Sequence, residues 1–267
     1  MKIRVFEAFA GYGSQSLALE RLKRNFPNFD YEVVGISEID KYAIDAYNAL
    51  HPGVTNYGDI SKINWDEVPD FDLFTYSSPC QDFSNAGLQK GGEEGSGTRS
   101  SLLWECRRAI VAKKPKFLLM ENVAALVSQK FIKTFNKWQE SLARYGYTNF
   151  AQVLNAKDYG IPQNRERIFL VSVLGEAWYN FPQPFKLEKR LKDVLETNVD
   201  EKYYLSEKMI DYVYSNGGKN KDIVGGVNVN DGEKPVGAIT ANYYKCPRQG
   251  NYYKEQCDTS FFNTQEE

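Results

Sequence analysis

Six short apolar runs, each of strand length, recur through the first two thirds of this chain: Ile3 to Phe6, Val33 to Ile36, Phe71 to Tyr76, Phe117 to Met120, Ala151 to Leu154 and Ile168 to Leu174. Between several of them lie stretches with helical spacing. Leu17/Leu22 and Leu103/Cys106/Ile110 are two; in a third, Phe131/Phe135/Trp138/Leu142, steps of four, three and four keep one face apolar until Gly146 ends the helix. Strands that alternate with helices bury both faces of a sheet, which predicts an α/β fold built on an open, twisted, mostly parallel sheet covered on both sides. After about residue 180 this rhythm stops, and Pro182, Pro184, Gly217-Gly218 and Gly225-Gly226 punctuate short aromatic and polar segments. We therefore expect a large domain over residues 1–180, a linker region over 181–221 and a smaller region over 222–267.

Of the 267 residues, 42% are hydrophobic and 25% charged, which suits a globular chain and excludes the disordered and fibrous classes. The four cysteines, Cys80, Cys106, Cys246 and Cys257, show neither the CxxC spacing of a zinc site nor the density of a disulfide framework. No metal is expected, and a reducing, cytoplasmic setting is. Met1-Lys2 leads into a strand-like run instead of a signal segment, and no apolar stretch approaches the roughly 20 residues that a bilayer demands, so no membrane role is expected. With a net charge of −2, nucleic-acid contacts have to come from local patches such as Arg107-Arg108, Lys113-Lys114 and Lys186 to Lys192, each of which taken singly reads more readily as a solvated helix face. His51, the single histidine, stands before Pro52-Gly53 and reads as a cap or surface residue; Cys106, on an apolar helix face, reads as core.

The first strand runs into Phe9-Ala10-Gly11-Tyr12-Gly13-Ser14 and then a helix, the arrangement that lets backbone approach a nucleotide-like ligand at a helix N-terminus. The second strand ends at Ser37-Glu38-Ile39-Asp40, which places Glu38 where an acid can bind both hydroxyls of a ribose. Gly58-Asp59-Ile60 supplies another acidic loop at the same sheet edge, suited to an adenine amino group. Position 16, where the third glycine of a dinucleotide fingerprint would fall, is Ser16, and Phe9 offers a ring for stacking; both features favour S-adenosylmethionine over NAD.

Two further strand ends carry reactive groups. Ser78-Pro79-Cys80-Gln81 follows the third apolar run and Glu121-Asn122-Val123 closes the fourth. A thiol and a carboxyl delivered at neighbouring strand ends suit covalent attack on an electron-poor ring with proton help from the acid.

From about Val5 to Val173 these motifs, in this order, resemble the DNA cytosine-5 methyltransferase family. The resemblance implies a Rossmann-like S-adenosylmethionine-dependent fold with a target-recognition region beginning near residue 222. It implies Phe9, Gly11 and Gly13 as the cofactor loop, Glu38 as the ribose ligand, Asp59 and Ile60 at the adenine, and Pro79 and Leu102 as further cofactor contacts. Cys80 becomes the nucleophile, Glu121 the acid, and Gln163-Asn164-Arg165-Glu166-Arg167 the motif whose Arg165 and Arg167 brace the target base. Gln81, Ser84, Arg99, Asn122 and, in a short Thr-containing segment, Thr240 are implied to contact substrate or DNA. The partner is double-stranded DNA, with the target cytosine flipped out of the helix. The glycine-rich stretch Gly87 to Gly97 fits a lid over it.

Members of this family return after the recognition region to an Arg/Glu-rich helix and a Gly-Asn-Ser element. Neither is found here; Gln249-Gly250-Asn251 is followed by Tyr252-Tyr253. The expectation is a truncated member, or one half of a split enzyme whose second chain supplies the missing elements. Two other readings stay open at this point: the same chemistry on tRNA, and a non-catalytic remnant that binds cofactor or DNA.

Overall fold

The structure is a computed structural model that describes residues 2–79, 99–200, 204, 206–207, 228–230, 232–237, 251–254 and 261–263. It divides into two compact units, one of residues 1–153 with 167–181, the other of residues 154–166 with 182–267.

The first unit is built from β1 (Lys2–Ala8), α1 (Ser14–Asn25), β2 (Asp30–Ser37), α2 (Lys41–Leu50), β3 (Leu73–Tyr76), α3 (Cys106–Lys113), β4 (Phe117–Val123) and α4 (Ile132–Arg144). β5 (Tyr147–Asn155) runs across the unit boundary; β6 (Gln163–Asn164) belongs to the second unit, and β7 (Glu166–Leu174) lies almost wholly in the first. The six-stranded sheet has the order β2-β1-β3-β4-β7-β5. β1 pairs in parallel with β2 and with β3, β3 pairs in parallel with β4, and β7 runs antiparallel to β4. The chain thus leaves β1 to one side for β2 and returns to the other side for β3. A sheet of this kind binds ligands outside the carboxyl ends of its strands at such a reversal, and the expected acidic and glycine loops all lie at those ends.

One face of the sheet carries an aromatic core. Phe6, Phe74, Tyr76, Leu118, Met120 and Leu170 pack under Trp65, Phe71, Ile110, Trp104 and Trp138, all of them nearly or fully buried. Trp138 closes the layer: its ring meets Tyr76 and Trp104 edge-on, at 6.0 and 5.5 Å between centroids, and its Nε1 donates to the Tyr76 hydroxyl at 3.2 Å. The helix it belongs to ends as expected, with Gly146 left-handed at φ 90 just past the cap residue Tyr145. The other face is smaller, with Ala10, Ile36 and Tyr47 at its centre and Val33 and Val54 against them.

Two local expectations are corrected. Leu17 and Leu22, expected on the inner face of α1, are 41% and 42% exposed, whereas Ser16 and Leu19 are buried. The helix is turned because its inner face meets a polar group of β1, described below, and offers a serine to it. Phe131 caps α4 instead of belonging to it, yet stays buried. Among the described residues no helix is long and apolar enough to cross a membrane. In the second unit β6 pairs with β9 (Val236–Gly237), while β8 (Asn228–Asn230), β10 (Asn251–Lys254) and β11 (Phe261–Asn263) form a three-stranded sheet in the order β11-β10-β8.

Trp138→Ala removes the ring that packs edge-on against Tyr76 and Trp104 and takes away the donor to the Tyr76 hydroxyl. We expect a loss of about 3–5 kcal/mol in urea unfolding, with the midpoint shifted and the slope unchanged.

Candidate active site

Between β1 and α1 the backbone takes three left-handed residues: Phe9 at φ 56, Gly11 at φ 58 and Gly13 at φ 88. Phe9 is not a glycine, so its conformation is strained by about 1–3 kcal/mol and is held by its surroundings. Gly11 has open space where a Cβ would stand, leaving its face free for a ligand. Gly13 is the opposite case, because a Cβ there would lie 2.5 Å from the His51 ring and 2.8 Å from Tyr47. It is also the N-cap of α1 and supplies no side-chain cap.

Glu38, just beyond β2, secures this loop from the front. One carboxylate oxygen accepts from the Gly11 N–H at 2.9 Å and the other from the N–H groups of Ile39 and Asp40 at 2.8 and 2.9 Å. Asn56 fixes its backbone in both directions, accepting at 3.1 Å and donating at 3.0 Å. Asp59 begins the short helical turn Ile60–Lys62 and accepts from the Ser61 hydroxyl at 2.8 Å and the Ser61 N–H at 3.0 Å, which together hold its pKa below the ordinary carboxylate value. Ile60 is buried beside it. Arg108 of α3 clamps the same loop, donating to the carbonyls of Ser61 at 2.7 Å and Ile63 at 3.1 Å. Sequence reasoning put Arg108 in a possible nucleic-acid patch; its guanidinium is engaged instead in shaping the Asp59 loop. In the same patches Arg107 lies 5.8 Å over the Trp104 ring and Lys113 reaches Asp70 at 3.3 Å.

Leu102, half-buried, lies in the helical turn Arg99–Glu105 that leads into α3. The backbone of Arg99 opens that turn. Cys80, Gln81, Ser84, the stretch Gly87 to Gly97, Thr240, Cys246 and Cys257 lie outside the described residues.

The described chain nevertheless reaches Pro79, next to Cys80, and shows how that point is held. Asn122, buried in β4, donates to the Ser78 carbonyl at 3.1 Å and the Ser78 hydroxyl at 3.3 Å, and its own oxygen accepts from the Val123 N–H at 2.9 Å. Its side chain thus ties the carboxyl end of β4 to the segment that precedes the cysteine. Glu121, next to it, forms an ion pair with Arg167 of β7, Nε to Oε1 at 3.0 Å, with both side chains largely covered. The antiparallel register brings them together by setting Val123 opposite Arg167 and Glu121 opposite Phe169. Arg165 belongs to the second unit, where Asn155 accepts from its N–H at 3.0 Å and pairs with Asn164 at 2.7 Å. Among the described residues no group of three or more His, Cys, Asp or Glu is placed to hold a metal ion.

One residue escaped sequence reasoning altogether. Glu7, the next-to-last residue of β1 and fully buried, accepts from the Tyr47 hydroxyl at 3.0 Å; Tyr47 in turn shares a hydrogen bond with Ser16 at 3.2 Å. Among the described residues its other oxygen, Oε1, makes no hydrogen bond, and neither does the Thr75 hydroxyl, which stands beside it in the β1–β3 register. Burial raises the Glu7 carboxyl to about 6, while the Ser16 hydroxyl and N–H and the Tyr47 hydroxyl pull in the opposite direction. The only available signal was a lone acid inside an apolar run, Val5-Phe6-Glu7-Ala8.

A carboxyl whose pKa is raised on folding contributes stability that is full below about pH 4.5 and is lost as the pH rises through about 6. Glu7→Gln cannot ionise. Its stability relative to wild type should therefore improve by about 2 kcal/mol between acid and mildly alkaline pH, read from urea unfolding of both proteins at the two pH values.

A family described as C-5 cytosine-specific DNA methylase matches residues 3–266. Type II methyltransferase M2.ScrFI of Lactococcus lactis subsp. cremoris is 41% identical over 273 residues, covering 79% of this chain and 74% of that protein. Orphan methyltransferase M.Rho11sI of Bacillus phage rho11s is 36% identical, covering 85% of this chain and 51% of its own length. The chain thus spans between about half and three quarters of these relatives. Among solved structures, Entamoeba histolytica methyltransferase EhMeth superposes with a TM-score of 0.75 over 95% of this chain and 76% of that one, and S. pombe Dnmt2 with 0.73 over 96% and 77%. Both are 20% identical, so this likeness is one of fold. The chain belongs to the C-5 cytosine-specific DNA methylase family, whose methyl donor is S-adenosylmethionine.

Proposed function

We propose that this chain methylates carbon 5 of cytosine in double-stranded DNA through a covalent bond from Cys80 to the base. The observation that carries this reading is the Asn122 side chain, which binds the Ser78 backbone and hydroxyl and so anchors the segment entering Cys80 to the strand end that bears Glu121.

The donor's site fits the residues present. Gly11 leaves open space, Glu38 and Asp59 stand at the same sheet edge, and Phe9 is held in a strained turn beside them. Phe9, Gly11, Gly13, Glu38, Asp59, Ile60, Pro79 and Leu102 would hold S-adenosylmethionine. When bound, it supplies a methyl group on a sulfonium.

The chain's own residues make carbon 5 able to take that group. Cytosine lacks the electron density for it, and addition of the Cys80 thiolate to carbon 6 provides it: a sulfur–carbon bond forms while the ring pair shifts towards carbon 5. Glu121, on ring nitrogen N3 and the amino group, shares a proton with N3 as this charge arrives. Arg167, already paired with Glu121, sets the acid's orientation and adds positive charge next to the ring. After methylation the hydrogen on carbon 5 leaves as a proton, the sulfur–carbon bond breaks and the thiolate is restored. The base has to leave the duplex for Cys80 to reach its face, at a cost of a few kcal/mol. Gln81, Ser84, Arg99 and Thr240 are proposed to contact DNA, and the region over 222–267 is proposed to begin target recognition.

DNA containing 5-fluorocytosine cannot lose fluorine in the last step, so the wild-type chain should be captured as a covalent adduct and Cys80→Ala should not. Adduct formation by the alanine variant would remove Cys80 from its role. Tritiated methyl transfer to duplex DNA, with tRNA as competitor, separates the DNA reading from an RNA one. Cofactor binding without transfer by this chain alone would support a second chain that completes the site. Arg108→Ala frees the Asp59 loop and should raise the dissociation constant for S-adenosylmethionine about three- to tenfold while leaving that for DNA unchanged, as measured by calorimetry.

A further inference from the structure

Behind the glycine loop, on the face of the sheet covered by α1 and α2, lies a set of polar side chains for which the reaction has no use. Glu7 is the only carboxyl in the buried set among the described residues. It joins three elements. Its carboxylate belongs to β1, Tyr47 of α2 donates to it at 3.0 Å, and Tyr47 and Ser16 of α1 share a hydrogen bond at 3.2 Å. The Tyr47 ring rests on the His51 ring at 4.8 Å between centroids, and both rings stand so close behind Gly13 that even a methyl group would collide with them. Three buried polar atoms here, Glu7 Oε1, Thr75 Oγ1 and His51 Nε2, have no hydrogen-bond partner among the described residues. A core selected for stability alone would avoid such an arrangement.

We propose that Glu7, Tyr47 and His51 are positioning residues for the cofactor: a buried polar brace that fixes Gly13 and the first turn of α1, so that the open face of the loop at Gly11 is preformed for S-adenosylmethionine. This rests on the reading of the loop as the cofactor site. The brace acts from behind, where Glu38 acts from in front. Strand β1 fixes Glu7, and Glu7 fixes Tyr47 and, through it, Ser16 three residues beyond Gly13; the two rings prevent the loop from sinking towards the sheet. A carboxylate is a stronger acceptor than a carboxylic acid, so the brace is tightest when Glu7 is ionised. The groups facing Glu7 are Tyr47 from α2 with His51 at its end, Ser16 from α1 and Thr75 from β3. Beyond them Tyr31 of β2 donates to Glu20, which is paired with Arg24. Burial and the neighbouring carboxylate push the Tyr47 phenol up, which keeps it a donor throughout the useful pH range.

The test is calorimetric titration of the full chain with S-adenosylmethionine across about pH 5 to 8, well below each variant's melting temperature. Wild type should bind roughly tenfold more weakly at the acid end than at the alkaline end, while Glu7→Gln should stay near the weak acid-end value at every pH and lack the Glu7 inflection. Tyr47→Phe should weaken binding about threefold and keep the inflection, as should His51→Asn. Wild-type affinity and pH profile in both Glu7→Gln and Tyr47→Phe would overturn the brace, as would an inflection that disappears with His51→Asn instead. If Glu7→Gln fails to fold, the Tyr47→Phe comparison decides. Wild type that binds no S-adenosylmethionine at any pH overturns the cofactor reading itself, an outcome distinct from unchanged variants.

Discussion

The five-residue connection from β1 to α1 depends on carboxylates on both of its sides. Three left-handed residues in so short a loop are not a conformation that an unsupported chain adopts. Glu38 takes the Gly11 N–H from one side, and Glu7 holds the start of α1 through Tyr47 and Ser16 from the core side. Since Gly13 has no side chain with which to cap α1, the acids of neighbouring strands organise the backbone that a local serine or aspartate would otherwise secure. The free face of Gly11 follows from this bracketing.

A second pin of the same kind operates two strands away. Asn122 is buried in β4 and spends both donated bonds on Ser78, so the ends of β3 and β4 are tied through side chain to backbone as well as through the sheet. The parallel order of β1, β3 and β4 brings the two pinned ends to the same edge. Antiparallel β7 then adds Arg167 from the opposite chain direction, which an all-parallel sheet could not do at that register. One strand of reversed direction is what lets a cation and an acid from remote parts of the sequence meet at 3.0 Å.

Much of this was legible in the sequence because it is written in local signals. Strand-length apolar runs, glycines after the first of them, and acids at strand ends mark β1, β2 and the loops at Glu38 and Asp59 without knowledge of the whole. Periodicity located α4 and its glycine stop. What escaped was non-local. The direction of β7 depends on pairing with β4, which no run of residues announces. The rotation of α1, with Ser16 inside and Leu17 out, is dictated by Glu7 on a different element. Arg108 looked like surface charge because its partners are backbone carbonyls far away in sequence, and a guanidinium is as well satisfied by those as by a phosphate.

Glu7 illustrates why such a residue is hard to read and what keeping it costs. Its neighbours in β1, Val5 and Phe6, are fully buried and apolar, and a third apolar side chain at position 7 would fit the run. A carboxyl there is disfavoured by burial strongly enough to be raised to about 6, and leaves one oxygen without a partner among the described residues. Once ionised, it gives the folded chain a buried charge that a leucine would spare it. Stability therefore does not explain the residue. An apolar side chain could fill the space, but it could not accept from Tyr47 and through it hold Ser16. The small second core, with only Ala10, Ile36 and Tyr47 at its centre, has little packing with which to fix α1 in its place. A directional bond to a charged acceptor gives angular definition that a few apolar contacts cannot, and it does so behind the left-handed loop between β1 and α1.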